Sequence, residues 1–191
     1  MPTGRSLADA RTMLLDAGRI VLAADGPSGL TSRAVTDASG VAKGVLHRHF
    51  ADFDAYLTAL VTEEASRIRA VEPAVATSAP AAVADVIEQI FTPTMTGLVT
   101  IVITRDDVRR RVDPEGGRGI PLLGDAASVL ADVLAAEREV GWIRADSDTA
   151  VLALALVGSV HLLTAGAGML PEQESIREVV TALLAGSITA R

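Results

Sequence analysis

Apolar residues recur at steps of three and four through most of the chain, the period of a helix that buries one face. Leu7, Ala10, Leu14, Ala17, Val21 and Ala24 predict a first helix. Gly26-Pro27 predicts its end near Asp25, because glycine accepts a left-handed terminus and proline cannot continue the hydrogen-bond ladder. Ser6, with Asp9 three residues on, resembles a capping pair at its start. Thr31 or Ser32 is placed to cap a second helix with Val35 and Ala38 facing inward, and Gly40 ends it. A third begins near Ala42, with Val41, Leu46 and Phe50 available to the same small core. Asp52 is a candidate cap for a fourth, whose inward positions Leu57, Leu60, Val61, Ala65 and Ile68 carry it out of one unit and into the next.

Beyond it the run EPAVATSAPAA, from Glu72 to Ala82, interrupts the period, which Val83, Ile87 and Ile90 resume as far as Phe91. Thr92-Pro93-Thr94 breaks it again. The stretch GLVTIVIT, Gly97 to Thr104, is rich in β-branched residues and locally strand-like. No second segment of matching character exists to pair with it, so a helix is expected. Thr104 to Pro121 reads as a short helix and a glycine-rich loop. Leu122, Val129, Leu130, Val133 and Leu134 mark a further helix ending near Gly141. Asp146 or Ser147 caps an apolar one, and Pro171 onward opens the last, with Ile176, Val179, Val180, Leu183 and Leu184 inside. The pattern is all-α, without internal repeats.

Composition sharpens this. About half of the 191 residues are apolar but only 3% are aromatic, so the core is built from Ala, Leu, Val and Ile, which suits close-packed helices. Cysteine is absent, which excludes a disulfide framework and thiolate metal sites and fits a reducing compartment. The first residues, MPTGRSLADART, hold scattered charges and no apolar run, unlike a signal peptide; a cytoplasmic location is expected. Thr149 to Pro171 carries no charge, yet its strongly apolar part, Ala150 to Leu163, is about 14 residues where a membrane span needs roughly 20. A buried helix is expected there, and no membrane partner.

The net charge of −7 argues against a polyanion as partner until its distribution is followed. Residues 1–56 hold six cations and six anions, which leaves the whole deficit in the remainder. Two units of different function are expected: a helix-turn-helix domain at 1–54 and a larger helical domain at 55–191. Within the first, Leu30 to Phe50 holds two short helical patterns around a glycine turn. Lys43, His47, Arg48 and His49 crowd the second of them, as a DNA-reading helix requires.

Other chemistry finds little support. His47 and His49 stand two residues apart, about 200° around a helix, so they do not share a metal. Glu115 to Gly119, EGGRG, lacks the Lys-Ser/Thr of a phosphate loop, and no nucleophile-elbow serine or paired carboxylates occur. No catalytic residue, metal or cofactor is expected, and the protein is not read as an enzyme.

The segment AAD-G near residues 23 to 26, followed by LTSRAVTDASGVAKGVLHRHFADFDAYL, resembles the tetracycline-repressor (TetR) family of bacterial regulators. Ala38-Ser39-Gly40-Val41, Lys43-Gly44 and His49-Phe50 carry the likeness. The resemblance implies a three-helix DNA-binding domain, a helical ligand-binding and dimerisation domain, and repression relieved by a small molecule. It implies DNA contacts from Thr31, Ser32, Arg33, Ala42, Lys43, Gly44, His47, Arg48 and His49, on a pseudo-palindromic double-stranded operator read by a homodimer. Four positions depart from the family pattern: Ala42 for serine, Val45 for threonine, His47 for tyrosine and Phe53 for lysine. Each removes a phosphate-binding group, so weaker or shifted DNA binding is expected, with His47 as substitute donor. The alternative is a ligand-binding helical dimer of this fold without specific DNA binding.

In the second domain Phe91, Met95, Trp142 and His161 are candidates for a ligand pocket, and the low polarity of the helices favours an apolar or amphipathic effector. His161 stands among Val160, Leu162 and Leu163, so a buried imidazole in need of a partner is expected. Small residues Ala153, Ala155, Gly158 and Ser159 allow close helix approach, which assigns residues 146–165 and the last helix to a two-fold interface.

Overall fold

The computed structural model describes residues 7–74, 76–117, 119–165 and 173–189 and forms ten helices among them. Ser6 and Pro171, to which helix starts were assigned above, lie outside the described residues, as do the side chains of Leu7, Asp9 and Lys43. Two compact units emerge, Met1–Glu64 with Gly97–Gly117, and Ala65–Thr96 with Arg118–Arg191.

In the first unit, α1 (Leu7–Gly29) breaks at Gly26, whose φ of 67° is the left-handed geometry expected for its end. Pro27 starts one further turn, closed by Leu30 N–H on the Pro27 carbonyl at 3.3 Å. The buried stripe of α1 is Leu14, Leu15, Ala17, Val21 and Leu22. Ala24, expected inside, is exposed, because the stripe turns away before the break.

α2 (Ser32–Ser39) starts under Thr31, whose hydroxyl accepts Ala34 N–H at 3.1 Å, and ends at Gly40 with φ 66°. Val35 is fully buried, but Ala38 is exposed. Thr36 and Ser39 take the inner face instead, their hydroxyls donating to the Ser32 and Thr36 carbonyls, which removes the desolvation cost of burying them.

α3 (Lys43–His49) follows, and Asp52 caps α4 (Phe53–Arg69) by accepting Ala55 N–H at 2.5 Å. Leu57, Leu60, Val61, Ala65 and Ile68 are all buried. α4 is fastened to α1 where Gly18 leaves room for Tyr56: a Cβ at Gly18 would stand 2.0 Å from the phenol oxygen, which donates to the Leu14 carbonyl at 2.9 Å. Tyr56 also meets Phe50 edge-on, with ring centroids 5.2 Å apart, an arrangement worth about 0.5–1.5 kcal/mol beyond burial.

The first unit is larger than residues 1–54 and discontinuous, because the end of α6 (Pro93–Thr104) and α7 (Asp106–Val112) pack into it. Gly97 lies so close to α1 that a Cβ there would meet Leu22 at 3.0 Å. Helix, not strand, is thus the state of GLVTIVIT.

In the second unit, α5 (Ala79–Ile90), α8 (Leu123–Glu139), α9 (Thr149–Ala165) and α10 (Gln173–Leu184) pack together. α5 starts at Ala79 under Ser78, earlier than the interruption ending at Ala82 suggests, since Pro80 fits a first turn. α8 starts from Leu122, a buried side chain on a φ of 71° whose N–H is taken by the Asp125 carboxylate at 3.3 Å. α9 is capped by Asp148, which accepts Ala150 and Val151 N–H, both at 3.1 Å. Asp146, one of the two expected caps, is held by Arg144 at 2.7 Å.

α9 buries only one face: Ala153, Leu156, Val157, Val160 and Thr164. The helix expected to be buried therefore leaves Val151, Leu154 and Leu162 61%, 66% and 78% exposed. Among the described residues no single helix is long and apolar enough to cross a membrane. Ile143 and Ile188 form an isolated antiparallel bridge that ties the last residues to the turn after α8.

Candidate nucleic-acid interface

The turn between α2 and α3 is set by one backbone requirement, the left-handed conformation that Gly40 supplies. Leu46, 1% exposed, and Phe50, 5% exposed, then anchor α3 to the core, while Val41 is half-buried. With that side fixed, Gly44, His47 and Arg48 fall on the outer side and are exposed. A Cβ at Gly44 would meet nothing within 4 Å, so the backbone at the start of α3 stands bare to whatever approaches. Ala42 precedes the helix without a side-chain cap.

Each of the expected contact residues can be followed to its place. Thr31 is exposed but spends its hydroxyl on the α2 cap. Ser32 is half-buried, and Arg33 is exposed with its guanidinium 3.6 Å from Asp37. Lys43 opens α3. His49 is half-buried beside Phe50, with ring centroids 6.4 Å apart. Its Nε2 is enclosed and has no hydrogen-bond partner among the described residues, so this nitrogen makes no structural bond there. The fold brings Gly44, His47 and Arg48 onto one exposed surface with Ala42 beside them.

Phe53 stacks on Tyr56, with ring centroids 5.3 Å apart and 17° between planes. The residue standing in place of a family lysine is thus turned to packing. The next acids along, Asp52 and Asp54, meet cations from a distant part of the sequence. Arg111 of α7 grips Asp52 with two hydrogen bonds, 2.8 and 2.9 Å, and Arg105 pairs with Asp54. The Arg111 hydrogen bonds, followed by that from Ala55 N–H, hold the Asp52 carboxyl down at about 2. Sequence reading missed these arginines because they lie some fifty to sixty residues from their partners; the RRR run itself was the available signal.

The four candidate ligand residues differ in setting. Phe91 and Met95 flank the break between α5 and α6 and are 2% and 0% exposed. Trp142 lies in the turn after α8, half-buried, its carbonyl accepting Thr189 N–H at 3.0 Å. His161 is half-exposed rather than buried, because it lies between the two faces of α9. No group of three or more His, Cys, Asp or Glu side chains placed to hold a metal occurs among the described residues.

No curated protein matches the sequence. Residues 14–57 match the model of bacterial regulatory proteins of the tetR family. Among solved structures, the chain is similar to reduced NemR of E. coli, with TM-score 0.69 and 15% identity over 95% of this chain and 98% of that one. It is also similar to the fatty acid degradation regulator FadR of Bacillus halodurans, with TM-score 0.64 and 17% identity over 92% and 98%. A TetR transcriptional regulator from Agrobacterium tumefaciens gives 0.62 and 20% over 95% of each chain. Residues 14–57 are thus similar to the helix-turn-helix domain of the bacterial tetR-family regulatory proteins, and the chain as a whole shares the fold of these solved regulators.

Proposed function

We propose that the protein is a ligand-responsive transcriptional repressor, a cytoplasmic homodimer that binds a pseudo-palindromic operator through α3 and leaves it when a small apolar or amphipathic molecule binds the second unit. The observation that carries the DNA-binding part is the outer face of α3. The bare backbone at Gly44 lies beside exposed His47 and Arg48, behind a turn that only a left-handed residue closes. Base edges are reached from the first turns of such a helix, and basic side chains further along hold phosphates. Lys43, His47 and Arg48 take these roles, with Thr31, Ser32, Arg33, Ala42 and His49 at the margin.

Dimerisation is supported by α9, whose outer face of Val151, Leu154, Ala155, Gly158 and Leu162 is apolar and exposed. A Cβ at Gly158 would meet nothing within 4 Å, leaving room for a second copy. The apolar interior around Phe91 and Met95 supports an apolar effector, with Trp142 and His161 as further candidate contacts.

The reading is tested by fluorescence anisotropy with the DNA flanking the protein's own gene, at two salt concentrations. Tight, salt-sensitive binding that prefers this DNA to random sequence is expected. Binding no tighter than to random sequence overturns the operator and favours a ligand-binding dimer of the same fold. The absence of hydroxyls at Ala42 and Val45 is the observation that supports that second reading.

A further inference from the structure

The helix-turn-helix by itself has no charge with which to attract DNA. Residues 30–54 hold three cations, Arg33, Lys43 and Arg48, against three carboxylates, Asp37, Asp52 and Asp54. Two of those acids stand at the turn from α3 into α4, within a few residues of Arg48, where a phosphate approaching the end of α3 would meet them. An exposed carboxylate there repels a polyanion.

α7 answers this charge directly. Val108 lies on one side of α7, with Arg105, the extended residue just ahead of the helix, and Arg111 three residues to either side of it. Val108 is fully buried and seats that side in the first unit. The two arginines flanking it reach the two acids at the start of α4, Arg111 by a two-pronged grip on Asp52 and Arg105 on Asp54. Both arginine side chains remain part-exposed, 43% and 47%. On the opposite side of α7, Asp107 is paired with Arg110 at 2.7 Å, and exposed Arg109 balances Asp106 in number. Arg105 and Arg111 thus match the two carboxylates of the α3–α4 turn one for one, while the rest of Gly97–Gly117 adds Arg109 and Arg110 against Asp106, Asp107, Asp113 and Glu115, so the effect of α7 is local to that turn.

We propose that α7 is an electrostatic part of the DNA-binding surface: Arg111, and Arg105 beside it, cancel the carboxylates of the α3–α4 turn and so allow the phosphate backbone to settle there. The inference rests on the DNA-binding reading above. Arg111 acts through Asp52 and is a positioning residue, which makes the effect separable from a fold contact or a direct phosphate contact. Asparagine at position 52 keeps an oxygen for the Ala55 N–H cap but carries no charge to cancel.

The test uses the full chain and a labelled duplex of random sequence at low salt, because the effect is independent of sequence. Arg111→Ala is expected to bind about tenfold more weakly, the order of one lost unit of charge, with the gap closing as salt rises. Asp52→Asn alone is expected to bind as tightly as the wild type or more so. The Arg111→Ala/Asp52→Asn double variant is expected to return to within about twofold of the wild type, since the charge balance is restored. Unchanged binding by Arg111→Ala overturns the proposal. So does a double variant as weak as the single one, which would make Arg111 a direct contact or a structural prop, and so does weaker binding by Asp52→Asn if Arg111→Ala fails to fold. A wild type that binds no duplex at low salt overturns both this inference and DNA binding. Binding to random duplex without preference for the flanking DNA removes the operator alone and leaves the role of α7 standing.

Discussion

Gly44 is a residue at which folding and the proposed recognition of DNA can be separated. Nothing lies within 4 Å of where its Cβ would be, so the protein's own packing does not require a glycine. Gly44→Ala is expected to stabilise the protein by about 0.5–1 kcal/mol, as alanine does inside a helix, while weakening its binding to DNA. Thermal melts and anisotropy on one preparation check both halves; stability and affinity falling together would mean that Gly44 serves the fold. Asp52 gives a second residue-scale expectation. Its carboxyl is depressed to about 2, first by Arg111, so the stability drawn from the pair is full above the ordinary carboxylate range and is lost as pH falls towards 2. The stability difference between wild type and Arg111→Ala is therefore expected to shrink across that window, measured by denaturant titration at several acidic pH values.

At the scale of elements, most of the helices were legible because their buried positions follow a period of about 3.6 residues. Leu57, Leu60, Val61 and Ile68 on α4 are the plainest case, and even β-branched α6 was placed as a helix because it had no strand to pair with. Periodicity failed where both sides of a helix are apolar. On α9 the buried residues Leu156 and Val160 and the exposed residues Leu154 and Leu162 are chemically alike, so the sequence shows no inner face. Only packing against α8 and α10 distinguishes them. Charging the open side tests what covers it. Leu162→Glu is expected to turn a dimer into a folded monomer by light scattering, because a carboxylate placed in an apolar interface costs about 3–5 kcal/mol when left unpaired. The start of α8 was illegible for a different reason: Leu122 adopts a φ that favours glycine and does so with a buried side chain, a tertiary choice that local propensity opposes. The candidate site was half legible. Lys43, His47 and Arg48 announce themselves as a cluster, whereas Arg105 and Arg111 join it only through the packing of α7.

For the whole molecule, the order of residues and the order of packing differ, since Gly97–Gly117 returns to the unit that Met1–Glu64 began. A contiguous domain boundary cannot express this, and sequence offers no period that reveals it. One consequence is spectroscopic. The chain holds a single tyrosine and a single tryptophan. Tyr56 is sealed in the first unit under Gly18, with its phenol pushed above its ordinary titration range chiefly by burial. Trp142 sits in the second, half-buried in the turn that Thr189 and the Ile143–Ile188 bridge hold to the end of the chain. Each unit therefore carries its own intrinsic chromophore without any label. Selective excitation of the indole follows the fastening of the C-terminal residues, and ultraviolet absorbance of the phenol at alkaline pH follows the opening of the α1–α4 seam, so the two halves of the protein can be watched coming apart independently in one cuvette.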